Sequence, residues 1–345
     1  VDNQVVTQKI KPWSARLAPY RRPDNKRAVI EIAITVVPLV ALWLTIFGLF
    51  HVDTVTTHIA ALLALVPAAG LMVRLFIIQH DCGHGSMFSS RRANDWVGRV
   101  LGIVTMTPYE YWRSLHAEHH ASSGNLDRRG MGDIDTLTVD EYLNKGIFGR
   151  VLYRLYRHPA VMFGLGPAYL FLLRHRLPVG AMKAGVKPWV STIANNIGIV
   201  VMSAVLIYFT SWTTFLIIQI PIVVIGASIG VWMFYVQHQF DETTWERNPT
   251  WKHEYAALHG SSYYDLPKPL MWITGNIGIH HVHHLSSRIP FHKLPQVVKD
   301  HPELAKIGRL TLLDSLRCVR LTLWDEQKQK LISFRDLKGG YATAA

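Results

Sequence analysis

Cysteine is nearly absent: Cys82 and Cys318 are the only two in 345 residues. That excludes a disulfide framework and any site built on several thiolates. Cys82 sits inside a histidine cluster, which fits a reducing compartment. Charge is scarce as well, at 17% of residues against 49% hydrophobic, too little to cover an ordinary soluble surface. Acids are outnumbered by bases, 24 to 36, for a formal charge of +12. No nucleic-acid motif accompanies that excess, so it is read as loops facing an anionic leaflet, and no nucleic-acid partner is expected. Low-complexity stretches, short-period repeats and a fused cytochrome are all missing. A signal peptide is not expected either: Val1–Arg27 carries Lys9, Lys11, Arg16, Arg21, Arg22, Lys26 and Arg27, and the apolar run that follows is too long for one.

What the chain has instead is long apolar runs. A bilayer core of roughly 30 Å needs about 20 helical residues, and four segments qualify: Ala28–Phe50 and Val55–Gln79, then Trp189–Thr210 and Phe215–Val236. The short connections at 51–54 and 211–214 make each pair a hairpin. Pro38 and Pro67 are expected to kink their helices, and Arg74 to snorkel toward the headgroups. The expected fold is therefore an all-α integral membrane protein, one domain over residues 1–345, with four transmembrane helices in two hairpins. Between the hairpins, His80–Lys187 is polar and basic apart from Trp96–Thr107 and Val161–Leu173, too short to span and so read as helices lying in the interface or re-entering the bilayer. Asn125–Tyr142 reads as a solvated connector. Gln237–Ala345 reads as a cap, with a helix expected over Leu304–Gln329. Neither outer turn carries Lys or Arg, so the positive-inside rule puts both termini and all three histidine clusters, the expected active site, on the cytoplasmic face, and a bacterial inner membrane is the expected location.

Histidine is abundant, at 18 residues, and it is clustered. His80 and His84 form HxxxH; His116, His119 and His120 form HxxHH; His280, His283 and His284 repeat HxxHH. Neutral imidazoles are costly core fillers unless both ring nitrogens find partners. On a helix, residues i and i+4 share a face with i+3 beside them, so each cluster can aim its nitrogens at one point. Eight imidazoles exceed the four ligands of a zinc site and call for two ions, although imidazole suits iron, copper, nickel and zinc alike. Both hairpins end alike, in FIIQH at His80 and FYVQH at His238, which nominates His238 as a ninth ligand. Asp81, Glu118 and Asp241 neighbour these histidines and could orient the rings; His281, lying between ligands, is an alternative ligand or a further orienting group.

Three clusters in the order HxxxH, HxxHH, HxxHH, on one side of two membrane hairpins, resemble the membrane fatty acid desaturase family, with HDCGHG, HAEHH and HHVHH most similar to its acyl-lipid branch in bacteria and plastids. The resemblance covers roughly Ala28–Leu294. It implies two iron ions held by His80, His84, His116, His119, His120, His238, His280, His283 and His284, with O2 as co-substrate, a fatty acyl lipid as substrate, and an external donor such as ferredoxin or a similar small carrier. Breaking an unactivated C–H bond needs a redox-active metal, which zinc is not. The acyl chain needs an apolar channel to the ions, and Trp96, Tyr109, Tyr111 and Trp112 are candidates for its mouth. Two other readings remain: a hydroxylase or ketolase of an alkane, lipid or carotenoid on the same scaffold, or a membrane metal-binding or transport protein. Ligands gathered at one face, rather than along a transmembrane path, count against transport.

Overall fold

The structure is a computed structural model that describes residues 12–130 and 132–340, with side chains to Leu337; Lys9 and Lys11 of the basic N-terminus lie outside the described residues. The first hairpin is α1 (Asn25–Val52) and α2 (Val55–His84). Asp24 caps α1 by accepting from the Arg27 amide at 2.9 Å. Asp53, with φ 54°, turns the chain, and Thr54 with Thr57 forms a reciprocal capping box that starts α2. At 30 residues, α2 is about 45 Å long against a hydrocarbon core of roughly 30 Å. The surplus carries His80 and His84 beyond the bilayer without breaking the helix. Gly85, in the left-handed region at φ 66°, ends α2 directly after His84.

α3 (Arg91–Val104) and α4 (Tyr109–Ser122) follow, then α5 (Ile147–Tyr156) and α6 (Gly166–Leu172). α3 falls on the expected Trp96–Thr107 stretch, and Val161–Leu173 is helical too, as a π-helical Val161–Leu165 followed by α6. α5 was not expected: Ile147, Phe148, Val151, Leu152 and Leu155 line its outer side and are exposed, the pattern of a helix lying in a lipid interface. The second hairpin is α7 (Val186–Phe209) and α8 (Trp212–His238), its turn capped by Ser211, which accepts from the Thr214 amide at 3.0 Å. Pro38, Pro67 and Pro221 all sit inside continuous helices. The four long helices are apolar enough to cross a membrane. Their exposed leucines and valines, such as Leu44, Leu63 and Val200, then face lipid.

Arg74 does not snorkel. It is 1% exposed, pairs with Glu31 of α1, donates to Thr35 Oγ1 at 3.1 Å and bonds the Trp272 carbonyl. A counter-charge at the same depth makes pairing the cheaper solution, since an unpaired charge there is costly. Trp272 belongs to α9 (Lys268–Ile273), so part of the C-terminal region dips alongside α2. A Cβ at Gly70 would lie 2.4 Å from Ile273 Cδ1, so a larger residue there would make the Ile273 side chain move.

α10 (His280–Leu285) carries the last histidine cluster. Five short strands accompany the helices: β1 (Leu137–Thr138), β2 (Tyr263–Asp265), β3 (Arg309–Thr311), β4 (Leu323–Asp325) and β5 (Lys330–Ile332); Tyr263 of β2 bridges Ile279 at the start of α10. β2 pairs in parallel with β3, and β4 lies between β1 and β5. The helix expected over Leu304–Gln329 is therefore corrected: the segment holds β3, α11 (Leu312–Cys318) and β4. Strand partners more than forty positions away in sequence override its local helical pattern.

Candidate metal centre

Nine imidazoles converge where α2, α4, α8 and α10 meet. They separate into two groups: His80, His84, His116, His120 and His283 in one, His119, His238, His280 and His284 in the other. Helix geometry explains the division. The i, i+4 pairs stay together, His80 with His84, His116 with His120, and His280 with His284. The i+3 members, His119 and His283, lean off that face and join the opposite group. Each HxxHH cluster therefore straddles both groups, and the two sites share walls.

Within each group the Nε2 atoms face one another. His84 lies 3.3 Å from His80 and 3.1 Å from His116; His116 lies 3.1 Å from His120, and His120 3.1 Å from His283. In the second group His119–His284 is 3.2 Å, His238–His280 3.0 Å and His280–His284 3.1 Å. Imidazole nitrogens bound at about 2.1 Å to a common ion and at right angles to one another would be about 3 Å apart. The donor set thus fits two ions with five and four protein ligands.

The outer ring nitrogens decide which nitrogen faces inward. His80 Nδ1 donates to Asp81 at 3.0 Å, His119 Nδ1 donates to Asp133, and His238 Nδ1 donates to the Gly260 carbonyl at 3.2 Å. With the proton on Nδ1, each Nε2 lone pair is bare and turned to the centre. Asp81 also accepts from the Phe291 amide at 2.7 Å, which locks the end of α2 to the segment after α10. Burial first, and the neighbouring histidines second, push His116, His120, His280, His283 and His284 well below the ordinary histidine range. These rings are neutral at physiological pH, as metal ligands must be.

The remaining sequence candidates have other positions. Glu118 turns outward to Arg128 at 3.0 Å, and Asp241 is exposed; neither orients a ligand ring. His281 is buried but belongs to neither group, its Nε2 donating to the Leu304 carbonyl at 2.9 Å. Tyr109 and Tyr111 are buried, with hydroxyls donated to the carbonyls of Cys82 at 2.8 Å and Val179 at 2.6 Å. Trp96 is exposed beneath Arg99. Of the four mouth candidates, Trp112 alone touches the centre, stacked on His116 with ring centres 4.6 Å apart. A cleft of about 370 Å³ reaches His84 of the first group; its other walls include Phe88, Arg91, Asn94 and Arg288, a polar lining that does not suit an acyl chain. Asp133 carries no motif that marks it in the sequence; it is one acid within the polar segment Asn125–Tyr142.

Comparison with known proteins converges on one family. The sequence model for "Fatty acid desaturase" matches residues 56–312. A Bacillus subtilis protein named "Fatty acid desaturase" is 41% identical over 336 residues, covering 97% of this chain and 94% of that protein. More distant is a Synechocystis "sn-1 acyl-lipid omega-3 desaturase (ferredoxin)", 29% identical over 64% of this chain and 61% of its own length. An "sn-1 oleoyl-lipid 12-desaturase" from the same genus is 25% identical over 64% of this chain and 62% of that protein.

Proposed function

The chain belongs to the fatty acid desaturase family, and we propose that its nine converging histidines hold two iron ions that use O2 to introduce a double bond into a lipid-linked acyl chain. The protein is an integral membrane oxidoreductase that desaturates fatty acyl chains. The observation that carries the reading of its cofactor is the division of the imidazoles into a five-membered and a four-membered group with inward-facing nitrogens.

When bound, the iron pair supplies the redox chemistry that O2 activation and attack on an unactivated C–H bond require. The protein's own contributions are positional. Asp81, Asp133 and the Gly260 carbonyl hold protons on the outer nitrogens of His80, His119 and His238, which keeps the inner nitrogens available. All four rings of the smaller group are buried, so bulk water is kept from that side. Trp112, stacked on His116 and edge-on to Phe76, supplies an apolar wall against which an acyl chain can rest.

The stoichiometry is that one –CH2–CH2– unit, one O2, two protons and two electrons give –CH=CH– and two waters. The electrons come from outside the chain. A ferredoxin or a similar small carrier is the proposed donor, in line with the printed name of the Synechocystis relative. The many basic residues near the ends of the spans that bear the histidines support a cytoplasmic orientation of that face in a bacterial inner membrane.

Expression in a host of known lipid composition, followed by mass spectrometry of its lipids, tests the reading. Desaturation yields acyl chains lighter by one hydrogen pair. Products heavier by one oxygen atom would assign the chain to hydroxylation instead.

A further inference from the structure

The two histidine groups differ in access. In the five-membered group His84, His116 and His120 are partly exposed, whereas all four members of the other group are buried. The cleft of about 370 Å³ opens onto the five-membered group through His84, and its rim carries Arg91 and Arg288. Both arginines are exposed, as is the adjacent Arg92. Arg21 approaches the same loop, donating to Ser286 at 2.8 Å, and Asn25 ties the start of α1 to Ser89 on the cleft wall at 2.9 Å. Of the acids on the flanking elements, Asp24 caps α1, and Asp95 pairs with Arg113 at 2.6 Å and with the rim's own Arg91 at 3.5 Å, so the excess positive charge rests on Arg288, Arg92 and Arg21 together with Arg91. The cleft is thus a positively charged depression whose floor is a ring of the metal centre.

We infer that this cleft is the docking site of a small acidic one-electron carrier and that electrons enter the centre through the five-histidine group by way of His84. The inference rests on the desaturase reading, which requires two electrons from outside. Each encounter oxidises the carrier by one electron and reduces the five-histidine ion by one, so two encounters serve one turnover. A positive rim steers an acidic carrier and sets its register, and a metal-group ring at the base shortens the path its electron must cross. An acyl chain is the poorer occupant, because Arg91, Asn94 and Arg288 give the cleft a polar wall. A lipid phosphate could pair with the same arginines, and the experiment separates the two.

The test uses the full chain in phosphatidylcholine nanodiscs, a purified acidic plant-type ferredoxin, and the double variant Arg91→Glu/Arg288→Glu. Ferredoxin affinity is measured at low and high salt with metal-free and iron-loaded protein. The variant is expected to weaken ferredoxin binding by at least about tenfold and to flatten its salt dependence, with iron content and thermal unfolding unchanged. The KM for ferredoxin should rise, while the KM for lipid and turnover with a chemical reductant stay the same. Unchanged ferredoxin affinity in the variant, or no binding by the parent protein, overturns the proposal. So does a raised KM for lipid with ferredoxin binding intact, which would make the cleft a headgroup site. A parent protein that binds ferredoxin in a salt-dependent, arginine-dependent way yet forms no double bond keeps the docking site and removes the desaturase reading.

Discussion

Asp133 accepts a hydrogen bond from His119 Nδ1, and on the far side of the same ring His119 Nε2 lies 3.2 Å from His284 Nε2. One carboxylate, on a loop without regular structure, therefore fixes which nitrogen a ligand of the four-histidine group presents. Asp133→Asn should lower metal affinity or turnover by about 10- to 100-fold. Iron titration of the metal-free variant checks it; affinity equal to that of the parent protein would show the contact to be incidental.

His238 and His292 make a contrasting pair. His238 faces His280 at 3.0 Å within the four-membered group, while His292 lies outside both groups and, among the described residues, has no hydrogen-bond partner on either ring nitrogen. His238→Ala should abolish activity and lower the iron content toward one per chain. His292→Ala should retain near-parental activity. Equal activities in the two variants would remove His238 from the ligand set.

The eight clustered histidines were legible because helical spacing puts i and i+4 on one face, and His238 because two hairpins end in the same QH pair. That His119 and His283 lean off their clusters' shared face follows from the i+3 spacing, but that each joins the opposite group was not legible: it depends on the angle at which α4 and α10 meet, which no local pattern encodes. Asp133 was hidden for a related reason, since an acid in a polar loop looks alike whether it meets solvent or a ligand ring. The four spans followed from composition alone. Arg74 was misread because a single sequence shows a charge near a span end but not the Glu31 that waits beside it, and the supposed C-terminal helix gave way to strand partners distant in the chain.

Arg74 and Glu31 are each 1% exposed and join α1, α2 and α9. Arg74→Met leaves Glu31 buried with only Arg27 beside it and should destabilise the protein by about 3–5 kcal/mol. Glu31→Gln added to Arg74→Met should recover part of that loss. Thermal unfolding in detergent is the measurement; a double variant no more stable than Arg74→Met would argue against the pair.

Metal removal should expose a pH dependence. In the metal-free protein, burial and mutual repulsion hold His116, His120, His280, His283 and His284 well below the ordinary range, so the unfolded chain takes up more protons than the folded one. The stability these neutral rings contribute is fully present above the unfolded value of about 6.5 and is lost as pH falls from there toward the lowered folded values. Thermal unfolding of chelated protein should show its midpoint falling as pH drops below about 6.5. Added iron at 100 times its dissociation constant should restore about 2.7 kcal/mol for each of the two ions at neutral pH. A midpoint independent of pH across this window would contradict neutral, buried imidazoles.

The most direct test of the central claim is anomalous diffraction at the iron absorption edge from crystals of the iron-loaded protein. The account predicts two separate iron peaks, one ringed by His80, His84, His116, His120 and His283, the other by His119, His238, His280 and His284. A single peak, or none within reach of these nitrogens, would contradict it.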